Sequence, residues 1–197
     1  MTPAPPPSDV PATGDGSRDA RVGHGYVRGV GGVRIFFRAW EVPRSRGRVL
    51  VVHGLGEHSG RFERLAGALT RAGLSVYAAD LRGHGRSRGR RGHVQAFEHL
   101  LRDLDRLRRR ACARGGGPGG DAAPAFVLGQ SLGGLVALRY LQEFPLPSLL
   151  GGVAVAPFVR LAAPVPAWKL KLGSLADRFT PGLTMDNEMD AELLMRT

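Results

Sequence analysis

Apolar residues along this chain come in two kinds of segment, short unbroken runs and longer stretches at helical spacing, and the two kinds alternate. Near the start, YVRGV from Tyr26 and VRIFFRAW from Val33 flank Gly31 and Gly32, which predicts two short strands joined by a glycine turn, a hairpin. Val49 to Val52 is then an apolar run ending in His53-Gly54, and Leu74 to Ala79, AFVLG from Ala125 and GGVAVA from Gly151 repeat that form. Runs without polar alternation predict strands covered on both faces, as in a parallel sheet. Between the runs, Phe62, Leu65, Ala66 and Leu69 recur at helical spacing until Gly73. Phe97, Leu100, Leu101, Leu104, Leu107 and Ala111 form a second such stripe, and Leu132 to Phe144 a third helix. A hairpin followed by alternating strands and helices predicts an α/β protein with a mostly parallel sheet and flanking helices.

Composition narrows the setting. With 197 residues, 43% of them hydrophobic, the chain can bury one sizeable core. Residues 1–20 are rich in Pro, Ala, Gly, Ser and Asp and predict a solvated tail ahead of a core spanning residues 21–157. GGGPGG at 115–120 reads as a connector within that core. The single cysteine, Cys112, excludes an internal disulfide and a Cys-based zinc cluster, and no metal or cofactor is expected. The opening MTPAPPPSDVPATGDG has neither a basic start nor an apolar stretch, so a cytoplasmic protein is expected. The net charge is +11, and all but Lys169 and Lys171 of the basic residues are arginines. Between Arg82 and Arg114 only Phe97 supplies an aromatic ring, so stacking platforms are missing and no nucleic-acid partner is expected. Arg102, Arg106, Arg109 and Arg110 read as the solvated face of the second helix.

Candidate chemistry sits where strands end. AFVL runs into Gly129-Gln130-Ser131-Leu132-Gly133 and then directly into a helix, the strand–turn–helix context of a nucleophile elbow. A serine in such a tight turn is held in strained backbone with its hydroxyl pushed clear of the sheet. Side chains two residues to either side would collide, hence Gly129 and Gly133. The helix that follows aims free N–H groups and its positive dipole end at the same place. An oxyanion hole needs two such donors. Leu132 offers one, and Leu55, in the glycine-lined loop His53-Gly54-Leu55-Gly56 after the earlier strand, is the best candidate for the other. His53 and His58 read as histidines that hydrogen-bond this loop, and Asp80 and His84 as parts of a second hydrogen-bonded loop, DLRGHGRS.

Together VVHGLGEHSGRFERLAGAL, AADLRGHGRSRGRRGHVQAF and FVLGQSLGGLVALRY resemble the α/β-hydrolase group that contains monoacylglycerol lipases, lysophospholipases and serine-aminopeptidase-like enzymes. The resemblance runs from about Tyr26 to the C-terminus. It implies an α/β-hydrolase fold and a serine hydrolase of carboxylic esters, acting on a small acyl-ester or lipid substrate. It assigns Ser131 as nucleophile and the N–H groups of Leu55 and Leu132 as oxyanion hole. In monoacylglycerol lipases a cap follows the strand matching GGVAVA, and residues 158–197 are similar to such a cap, with Trp168, Leu172, Leu175 and Phe179 at helical spacing. A cap of this kind would make peripheral lipid contact or accept an acyl chain.

One departure matters. The family orders its triad Ser, then Asp or Glu, then His, and no histidine follows Ser131 in this sequence. The later acids, Glu143, Asp177, Asp186, Glu188, Asp190 and Glu192, match no triad position, so the expectation is a chain truncated before the triad Asp and His, inactive alone. Two other classes stay open: a catalytically silent hydrolase-fold fragment that binds a lipid or protein partner, and a basic Arg-rich interaction module. Oligomeric state is not legible.

Overall fold

The computed structural model describes residues 20–114 and 124–159. The tail expected over 1–20, the connector and the cap-like segment fall almost wholly outside the described residues. The strands are β1 (Arg21–Arg28), β2 (Arg34–Glu41), β3 (Gly47–Val52), β4 (Leu74–Ala79), β5 (Ala125–Gln130) and β6 (Leu149–Val155). Three helices join them: α1 (Glu63–Arg71), α2 (Phe97–Arg114) and α3 (Leu132–Glu143).

One sheet contains all six strands in the order β1-β2-β4-β3-β5-β6. β1 pairs with β2, and β2 with β4, in antiparallel fashion, while β3, β4, β5 and β6 run parallel. This is the α/β-hydrolase fold with its N-terminal hairpin. Every residue of β3 is buried, as its unbroken apolar run predicts. Leu50 and Val52 pack among the α2 and α3 side chains, and Val49 and Val51 pack toward Ala66 and Phe62 beside α1. Fully burying a side chain of this kind contributes about 1.5–3 kcal/mol.

The hairpin is longer than its apolar pattern. Its first strand starts at Arg21 rather than Tyr26, and pairs with β2 through eight positions from Arg21↔Glu41 to Arg28↔Arg34. Gly23, His24 and Gly25 give no apolar signal; backbone pairing makes the strand. The ring of Phe37 lies against Gly25, where a Cβ would come within 3.0 Å of it.

On the α2 side, polar groups are buried in pairs. Arg82 is bonded to Asp103 at 2.7 and 2.8 Å, and the other oxygen of Asp103 accepts from Val30 N–H at 2.8 Å. Burial raises the Asp103 carboxyl above its usual value despite Arg82. Asp105 accepts from Arg108, Arg109 and the Tyr140 hydroxyl. Burial works against its charge, but those three bonds hold its pKa below the ordinary value. Arg102, Arg106 and Arg109 stay exposed on the outer face of α2, and Cys112 is buried.

Candidate active site

The parallel strands all end at one rim of the sheet, so the loops after β3, β4 and β5 gather there. The chain after β5 reverses at Ser131, whose φ of 53° and ψ of −119° are costly for a residue with a side chain. Two glycines permit it. A Cβ on Gly129 would lie 2.0 Å from the Gly133 carbonyl oxygen, and one on Gly133 would lie 2.1 Å from that of Val52. The turn is also pinned through its backbone, Ser131 N–H donating to Val155 O at 2.9 Å while Ser131 O accepts from Leu135 and Phe158. Ser131 is half-buried at the N-terminal end of α3.

The loop after β3 lies against this turn. A Cβ on Gly54 would stand 3.3 Å from the Ser131 Cβ. Glu57 shapes that loop: its carboxylate accepts from Gly54 N–H at 3.1 Å and pairs with Arg61. Leu55, next to Gly54, is 67% exposed. Among the described residues neither Leu55 N–H nor Leu132 N–H donates to an acceptor. Gly54, the residue before Leu55, and Leu132, the residue after the turn, both adjoin Ser131.

His53 is wholly buried and doubly engaged. Its Nε2 accepts from Leu81 N–H at 2.8 Å, so Nδ1 carries the proton and donates to Gly54 O at 2.6 Å. Desolvation lowers its pKa from the ordinary 6.5, against the pull of the Gly54 bond. The ring is a tie between the loops after β3 and β4. His58 caps the 3-10 turn at Ser59–Phe62, its Nδ1 accepting from Gly60 N–H at 3.1 Å. His84 donates from Nδ1 to Arg82 O at 3.0 Å, its ring 5.3 Å from that of His53.

Asp80 is the second tie. Its carboxylate accepts from Ser59 N–H and Arg86 N–H, both at 2.7 Å, and its carbonyl from the Ser87 hydroxyl at 2.6 Å. Gly85, at φ 47°, passes so close that a Cβ would fall 2.2 Å from the Asp80 carboxylate. The D-x-x-G-x-G-x-S spacing is therefore a loop-building device. Sequence reading places Asp80 and His84 in that loop but misses Glu57, whose signal is its position three residues after Gly54.

Comparison with known proteins gives the family. The family model for serine aminopeptidase, S33, matches residues 43–197. The chain is an α/β-hydrolase. Within that superfamily it belongs to the S33-type group and is homologous to monoacylglycerol lipases. It is 36% identical over 172 residues to a monoacylglycerol lipase of Mycolicibacterium smegmatis, covering 85% of this chain and 58% of the relative. It is 34% identical to the human monoglyceride lipase, covering 84% of this chain and 53% of that one. Among solved structures, the monoacylglycerol lipase of Paleococcus ferrophilus superposes with a TM-score of 0.67 at 36% identity, over 81% of this chain and 57% of that one. The chain thus spans little more than half the length of these relatives.

Proposed function

We propose that this chain carries the nucleophile and oxyanion donors of a carboxylic-ester hydrolase acting on monoacylglycerols or lysophospholipids. The observation that carries the reading is the backbone at Ser131, at φ 53° between two glycines that could hold no Cβ. Strain of this kind costs about 1–3 kcal/mol and persists where surrounding structure enforces it. It presents the hydroxyl at the start of α3, where the helix dipole favours negative charge.

In this reading the Ser131 oxygen attacks the ester carbonyl carbon, and the carbonyl oxygen becomes an oxyanion held by the N–H groups of Leu55 and Leu132. Losing one such donor typically costs ~10²–10³ in rate. The tetrahedral intermediate collapses to an acyl-enzyme on Ser131 and releases the alcohol; water then repeats the sequence and frees the acid. The serine proton must pass to a base and on to the departing alcohol. His53 is not assigned that role, because using it would break the tie to Leu81. The base and its acid partner are assigned to no residue among the 197. No cofactor enters the scheme.

The lipid substrate class rests on the relatives named above. It is tested by giving the natural protein a monoacylglycerol and an aminoacyl anilide side by side. Faster ester cleavage, abolished by Ser131→Ala, is expected; faster anilide cleavage would favour an aminopeptidase.

A further inference from the structure

The hairpin presents a second surface, on the face of β1 and β2 turned away from α2 and bordered by the loop after β4. Residues 22, 24, 26 and 28 of β1 and 34, 36, 38 and 40 of β2 share one face, in the cross-strand pairs Val22↔Trp40, His24↔Arg38, Tyr26↔Phe36 and Arg28↔Arg34. The opposite face, with Val27, Ile35 and Phe37, is buried against α2. On the first face Phe36 is buried, and arginines cover it: the Arg86 guanidinium, from the loop after β4, stands 4.5 Å from its ring centroid and that of Arg38 5.8 Å. Arg34 lies 4.1 Å over the Tyr26 ring. Arg28, Arg34, Arg38 and Arg86 thus converge on one patch. Among the described residues none of the four has an ion-pair partner. The one acid of the two strands, Glu41, belongs to the other face, bonded to Tyr77. Within this basic field Val22 and Tyr26 are 69% and 41% exposed.

We propose that this face docks on a bilayer leaflet carrying anionic headgroups. Arg28, Arg34 and Arg86, exposed and without an ion-pair partner among the described residues, supply the attraction to phosphate and carboxylate oxygens, with the half-buried Arg38 behind them. Val22 and Tyr26 are an aliphatic and an aromatic group suited to the interfacial zone. Nucleic acid fits less well. Arg34 lies over the Tyr26 ring, the Phe36 ring meets it edge-on, and Phe36 itself is buried, so the patch has no row of open aromatic faces on which successive bases could stack. The proposal does not depend on the catalytic reading, since none of these residues has a role in it.

The test is co-sedimentation of the full chain with phosphatidylserine-containing and phosphatidylcholine-only vesicles at physiological ionic strength. Arg34→Gln with Arg86→Gln is compared with Arg102→Gln and Arg110→Gln, which remove the same charge from α2 on the other side of the sheet. Salt confines each charge to a range of about 8–10 Å, so the two pairs act separately. The expected result is binding to anionic vesicles only, weakened roughly 30-fold by the first pair and less than twofold by the second. Equal losses in both pairs would show attraction by net charge alone and overturn the proposal. No binding, or binding to an oligonucleotide instead with the same arginine dependence, would also overturn it. Circular dichroism of each variant confirms folding, and an Arg34→Lys, Arg86→Lys variant restores binding if charge is what matters.

Discussion

A Cβ placed on Gly54 would stand 3.3 Å from the Cβ of Ser131, so the loop after β3 and the turn after β5 meet with no room to spare. Gly54→Ala therefore needs a displacement of a few tenths of an ångström, falling on Ser131 or on the backbone beside Leu55. We expect the natural protein to lose roughly 10- to 100-fold in kcat, since small misplacements of reacting groups act at that scale. Its unfolding midpoint should move little. Steady-state kinetics and a urea titration on the same preparation check both expectations.

The elbow glycines behave differently, because their neighbours are main chain. Gly129→Ala would push a methyl to 2.0 Å from the Gly133 carbonyl. A loss of roughly 3 kcal/mol or more is expected, beyond ordinary overpacking. Gly31, at φ 65° with open space around its α-carbon, is the control. Gly31→Ala meets only the left-handed penalty of about 1–2 kcal/mol. Equal losses in the two variants would remove the steric account of the elbow.

Arg82 and Asp103 form a buried pair whose members depend on each other. Arg82→Met leaves the Asp103 carboxylate buried without its cation, and about 3–5 kcal/mol should be lost. Adding Asp103→Leu should recover part of that loss. A double-mutant cycle by denaturant unfolding measures the coupling.

His53 gives the fold a pH dependence. Its folded pKa lies below 6.5, so below that pH the unfolded chain binds a proton that the folded one refuses. The contribution of neutral His53 is complete above pH 6.5 and lost progressively as pH falls toward the depressed value. The slope is at most about 1.4 kcal/mol per pH unit. Unfolding free energies from pH 8 downward should fall below that point, and the fall should be shallower in His53→Gln.

How much was legible beforehand depends on how local the cause is. The strands β3 and β4 could be read because each is covered on both faces, and β5 because its apolar run is unbroken although Phe126 on one face is exposed. The turn at Ser131 could be read because its steric demand is met by Gly129 and Gly133 within the same five residues. The start of β1 could not, since Gly23 to Gly25 owe their pairing to β2 across the sheet. The roles of Glu57 and Asp80 were hidden for a related reason. A carboxylate that accepts backbone N–H groups looks in sequence like any loop acid. The Arg82–Asp103 pair joins residues 21 positions apart, and helical spacing alone marks Asp103 as neither buried nor paired.

The central claim is that Ser131 is the nucleophile, and covalent labelling tests it most directly. The protein is treated with a fluorophosphonate, digested, and mapped by mass spectrometry. The account predicts one phosphonylated residue, Ser131, and no label in Ser131→Ala. An adduct on another residue, or full-rate labelling of the alanine variant, would contradict it.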